Sequence, residues 1–194
     1  MGFSHSSIAV QGITRDQALE ALGMTVSEIQ TDILEGVSMF DWFDGWLIIL
    51  SEDDGDGFDG QLEELGRLGQ SAVAYGVNVD AGFSTAYGFE DGTEAWVVTT
   101  DPKRRNLRVV GSPPEQLDSI ILAAKTEQEN SEVDLFFDIP AKLMESICGY
   151  RIGKGDPDTI RYVNLKSTGD RKPEPGARTS YARPGFFARL FGRG

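Results

Sequence analysis

Cysteine and histidine are nearly absent: Cys148 and His5 are the single members of their kinds in 194 residues. One cysteine excludes an intramolecular disulfide framework and fits a reducing compartment, the cytoplasm. Zinc sites built from Cys and His need more of both. His5 falls in a terminus expected to be mobile, and Ser4 and Ser6 beside it make no catalytic triad. Long apolar runs are missing too. The longest strongly apolar one, Trp46-Leu-Ile-Ile-Leu50, is far too short to span a bilayer. Residues Met1 to Ser7 lack the basic flank and apolar core of a signal peptide.

Basic charge is the next scarcity, with 18 Lys and Arg against 31 Asp and Glu, a net −13. It is also unevenly placed. From Lys166 onward there are seven basic and two acidic residues, so that segment carries +5 and residues 1–165 carry −18. A body this acidic repels nucleic acid and anionic membrane and steers basic partners toward itself. Apolar residues at 40% and aromatics at 10% nevertheless mark a folded chain. Its length suits one domain.

Along the chain, Ser6–Val10 reads as a first strand. Thr14-Arg-Asp-Gln17 is a capping box that starts a helix running to Leu22, with Gly23 as its stop. Ile29, Ile33 and Leu34 at helical spacing predict a second short helix after Ser27. An aromatic cluster, Met39 to Trp46, expected to pack in the core, leads into a strand over Trp46–Leu50, and Gln61–Leu68 reads as amphipathic helical turns. Strands follow over Ala72–Val79, Phe83–Phe89, Ala95–Thr100 and Leu107–Val110, with Asp91-Gly92 as the sharpest hairpin signal. Ser112-Pro-Pro-Glu115 predicts a capped helix start, with Leu117, Ile120, Ile121 and Ala124 as the buried stripe. Val133–Phe137 reads as strand or extended chain, and Pro140 opens a helix over Ala141–Cys148 closed by Gly149, with Cys148 as a buried thiol. Ile160–Leu165 adds a last strand. The expected fold is α+β, an antiparallel β-meander packed with several helices, followed by a flexible basic tail. Its boundaries are one domain over 1–166, a flexible linker over 167–185 rich in Gly, Pro and charge, and a short basic, aromatic tail over 186–194.

Glu52 to Glu63 places acids at positions one, three, five and twelve of an EF-hand pattern, with Gly57 at six. Glu instead of Asp at position one, Asp59 at the apolar position eight and a strand where the entering helix belongs all argue against calcium. Gly149 to Gly155 sets Gly149, Gly153 and Lys154 in a phosphate-loop order, but with one residue too few between the glycines and Gly155 where Ser or Thr should bind magnesium. No pair of carboxylates is singled out for glycosidase chemistry. The expectation is a protein with no catalytic residues, no metal and no cofactor.

The segments Trp96 to Asp101, Gly111-Ser-Pro-Pro114, Val133-Asp-Leu-Phe-Phe-Asp-Ile-Pro140 and Gly149-Tyr-Arg151 resemble, in this order, a family of small, acidic, uncharacterised bacterial proteins. The resemblance spans roughly residues 46–152 and departs over Ala74–Gly82, where similar proteins carry a more acidic, His-containing run. It implies a bacterial source and one compact domain, and it carries over no activity or site residue.

Size, charge and missing catalytic residues point to a non-catalytic interaction protein. Within that class the reading is an immunity protein that binds and neutralises a basic bacterial toxin, for example a nuclease. The partner-binding candidates are Asp53, Asp54, Asp56, Asp59 and Glu63, with Trp42, Phe58 and Tyr75 as aromatic anchors. Two other readings are a calcium-responsive module or small enzyme using Glu52–Glu63, and an adaptor docking through its tail. Phe186, Phe187, Leu190 and Phe191 share one side of that tail with Arg189 beside them, which suits a groove or gives weak contact with an anionic membrane.

Overall fold

The structure, a computed structural model, describes residues 4–30, 36–52, 59–101, 106–153 and 160–168. Among these residues nine strands form one sheet: β1 Ser4–Gln11, β2 Met24–Gln30, β3 Val37–Asp41, β4 Trp46–Ser51, β5 Ser71–Asn78, β6 Phe83–Glu90, β7 Thr93–Asp101, β8 Asn106–Gly111 and β9 Tyr162–Ser167. Their spatial order is β2-β9-β3-β4-β1-β5-β6-β7-β8, and every pairing is antiparallel. The expected meander holds for β5 to β8. The rest departs from it, because β1 is inserted between β4 and β5 and β9 between β2 and β3.

Four helices, α1 Arg15–Leu22, α2 Asp59–Leu68, α3 Gln116–Gln128 and α4 Ile139–Cys148, cover both faces of the sheet. On one face Ala18, Ala21, Leu22 and Leu65 of α1 and α2 pack against Ile8, Val10, Met39 and Ile49. On the other, Leu117, Ala124, Leu143 and Met144 of α3 and α4 pack against Ala9, Phe40, Ile48 and Val73. Two-sided cover explains why Trp46–Leu50 is apolar without alternation: each residue of that run is buried, odd and even positions serving opposite cores. The α+β class is therefore a three-layer arrangement, with the sheet in the middle.

Local chemistry sets several element ends. Thr14 and Gln17 form the reciprocal capping box, and Gly23 closes α1 in the left-handed region at φ 64. Asp91 and Gly92, at φ 49 and 73, make the two-residue turn whose twist matches the strands it joins.

Four expectations fail. Met24–Gln30 is a strand, not the start of a second helix, because β9 offers it a ladder of partners; Ile33 and Leu34 lie outside the described residues. Helix α3 begins at Gln116 with no side-chain cap. Ser112 is instead tied back to β7, its N–H donating to the Ala95 carbonyl at 3.3 Å. Leu135–Asp138 is a 3-10 turn rather than extended chain, held by the Phe136 N–H donating to Asp134 Oδ1 at 3.0 Å. His5 is no mobile terminal residue: it sits within β1 between β4 and β5 and is 5% exposed. At the far end β9 runs to Ser167, and Thr168 bonds the Gly23 carbonyl through N–H and hydroxyl. Residues 169–194, which include Phe186, Phe187, Arg189, Leu190 and Phe191, lie outside the described residues.

Candidate functional site

Strand alternation puts His5 and Ser7 of β1 on the face that α4 covers, and register pairs them with Val77 and Tyr75 of β5. Helix α4 presents Ala141 and Met144 to the same place, one turn apart, and Phe137 precedes it from the 3-10 turn. Gly149 then ends α4 in the left-handed region, at φ 73, and the reversed chain brings Tyr150, Arg151 and Ile152 alongside. These groups line an open cavity of about 200 Å³. At its edge Arg151 Nη2 donates to Asp138 Oδ2 at 3.0 Å, an ion pair that ties the segment after α4 to the turn before it.

Burial decides the protonation of the wall. It pulls the His5 imidazole down to about 4, so the ring is neutral at pH 7. Burial also pushes both tyrosine hydroxyls up, Tyr75 further by the Asp138 carboxylate against a smaller opposing effect of Arg151, and Tyr150 further by Tyr162 and Cys148. Both phenols are therefore protonated donors. Ser7 shares a strand face with His5, but its hydroxyl donates to Met144 Sδ at 3.3 Å, so the two are not a nucleophile and its base. The arrangement can bind and hydrogen-bond a guest. Among the described residues no three His, Cys, Asp or Glu side chains converge on a point that would hold a metal ion.

The aromatic candidates fall around this region. Tyr75 is not an exposed anchor: it is 9% exposed and forms part of the cavity wall. Trp42 is half-buried, in edge contact with Phe40 and Tyr150 at centroid distances of 5.9 and 5.4 Å. Tyr150, between them, joins the Trp42 cluster to the cavity. Of the acidic candidates, Asp59 and Glu63 lie on α2, with side chains outside the described ones. Asp53, Asp54, Asp56 and Phe58 lie outside the described residues altogether.

The exposed ring belongs to the Met39–Trp46 cluster, expected to pack in the core, and the turn geometry instead holds it out. Phe43, in the β3–β4 turn, is 73% exposed and packs on Trp42 at 4.7 Å between ring centroids. The turn is firmly held. The Trp42 N–H donates to the Trp46 carbonyl at 2.7 Å, the Trp46 N–H donates to the Phe43 carbonyl, and Gln11 Nε2 donates to the Asp44 carbonyl at 2.8 Å. Asp44 itself takes a positive φ of 56, uncommon for a residue with a side chain. Asp41, on the other side, receives Arg15 in two hydrogen bonds of 2.7 and 3.2 Å. His5, Tyr150, Arg151 and Phe43 carried no sequence signal beyond their types, since nothing local says which of them meet.

No family model, no curated protein and no solved structure matches this chain. No helix among the described residues is long and apolar enough to cross a membrane.

Proposed function

We propose that this is a non-catalytic, acidic interaction protein, and within that class a cytoplasmic immunity protein that binds and neutralises a basic bacterial toxin. The observation that carries the reading is the charge imbalance, −18 on residues 1–165. Such a surface complements the cationic cleft of a nucleic-acid-cutting enzyme and speeds encounter with it. Charge steers but rarely anchors, and an anchor needs a desolvated aromatic group. Phe43, exposed on a pinned turn between Asp41 and Asp44, supplies one at low ordering cost. The acidic residues of Glu52–Glu63 add to the negative field that steers the partner.

The test is affinity capture from a bacterial lysate at low and at high salt, with the captured protein identified and its gene located. The expected partner is a basic protein encoded beside this one, held more weakly at high salt. Phe43→Ala should weaken it about tenfold or more. Asp53, Asp54, Asp56 and Asp59→Asn together should flatten the salt dependence. Capture of no basic protein, or affinity indifferent to both changes, sinks the reading.

A further inference from the structure

The cavity between α4 and the β1–β5 pair at the middle of the sheet has the chemistry of a binding site, independent of the acidic surface. Its floor is apolar, made by Val77, Phe137, Ala141 and Met144. Its polar side chains can donate, Tyr75 and Tyr150 as phenols, neutral His5 through one ring N–H, and Arg151 as a cation. The Tyr75 and Tyr150 phenols, kept protonated by burial, each have one proton to give. Arg151 spends one N–H on Asp138, and a guanidinium carries five. Among the described residues no carboxylate lines the chamber; the nearby one, Asp138, is turned onto Arg151. In a chain of net −13, this is a local concentration of donors around an apolar space.

We propose that this cavity binds a small monocarboxylate with an apolar body of about one aromatic ring. The apolar floor takes the body, Arg151 and the Tyr75 hydroxyl take the carboxylate, and Tyr150 offers a further donor. The volume, about 200 Å³, exceeds the ~150 Å³ of a dry apolar cavity known to take benzene. It leaves room for the ring and its charged substituent. A cationic guest finds no carboxylate in the described lining to match it, and Arg151 opposes it.

The test uses the full chain, labelled with nitrogen-15 and titrated with benzoate, benzyl alcohol and benzylammonium while amide shifts are followed. Benzoate is expected to saturate below about 10 mM, corresponding to a few kcal/mol of binding, with the largest shifts at residues 5–7, 75–77, 141–144 and 150–152. Benzyl alcohol should bind about tenfold more weakly and benzylammonium not at all, since a charged hydrogen bond is worth roughly 1.5–3 kcal/mol. Arg151→Gln should cost benzoate about tenfold. Tyr75→Phe, which removes one oxygen and keeps the ring, guards against a variant that fails through misfolding, and should cost several-fold. Ala141→Phe should fill the floor and abolish binding. The assignment is overturned if benzylammonium binds as well as benzoate, if benzoate does not saturate, if its shifts map elsewhere, or if Arg151→Gln and Tyr75→Phe both leave its affinity within about twofold.

Discussion

Gly88 has no room for a methyl group. A Cβ built there would lie 2.0 Å from Trp96 Nε1 and 2.1 Å from its Cε2, so the indole lies flat against bare backbone. The β6–β7 register shifts at this point, and a bulge next to a glycine is how a large ring is taken into a sheet. Gly88→Ala should therefore cost about 2–3 kcal/mol through overpacking, measured as a lowered urea midpoint at unchanged slope. His5 gives a second residue-scale prediction. Its imidazole is held at about 4 when folded, against 6.5 when free. Between those values the unfolded chain takes up a proton that the folded chain refuses. Stability is then full above about pH 6.5 and falls as the pH drops toward 4, by up to about 3 kcal/mol from this residue. His5→Gln should flatten the unfolding free energy over that range. An unchanged slope would show that the ring is protonated as readily folded as unfolded.

At the scale of elements, the division between what sequence shows and what it hides is physical. Helix α1 was legible because its cap, its apolar stripe and its stop lie within ten positions of one another: Thr14 and Gln17 bond each other, and Gly23 caps the end. The β5–β8 meander was legible for the same reason, each turn lying beside the strands it joins. Strand β2 was not. Ile29, Ile33 and Leu34 keep helical spacing, and what overrides it is β9, which reaches β2 from 137 positions away, as in the Ser27 hydroxyl donating to the Asn164 carbonyl at 3.0 Å. The cavity was hidden likewise, since it unites β1, β5 and the turn after α4, and register decides that His5 faces it. Ser112 shows the opposite error. Its capping signal is sound chemistry, yet the Ala95 carbonyl takes the chain there first. Because β9 fills an interior place in the sheet, a chain ending at residue 160 should lose cooperative unfolding, whereas one ending at 168 should keep it. Near-ultraviolet circular dichroism and a denaturant titration of the two distinguish these outcomes. Equal stability would mean that β2 and β3 pair without β9.

For the whole molecule, the governing quantity is the −18 on residues 1–165. Ion pairs among the described side chains, such as Arg15 with Asp41 and Arg151 with Asp138, are partly exposed and offset little of it. Self-repulsion should therefore be measurable without any partner: added sodium chloride should raise the melting temperature between very low salt and about 0.15 M, where the screening length falls to about 8 Å. A melting temperature that falls with salt would mean that attractive pairs outweigh the net charge. The same screening should slow capture of a basic partner. One solution variable thus moves stability and association in opposite directions.

The interior position of β9 also sets an order of events during synthesis. Strands β2 and β3 are made early, but the strand that belongs between them follows only after more than a hundred further residues. Until Tyr162–Ser167 arrives, β2 has no partner in the sheet and β3 keeps one bare edge. Two rows of unmatched backbone groups are then open to any neighbouring chain. Closing so long a loop is slow, because its entropy is lost before the new contacts form. The nascent chain is thus at greatest risk of aggregation just before Tyr162–Ser167 is made, and β9 acts as the clasp that ends that interval.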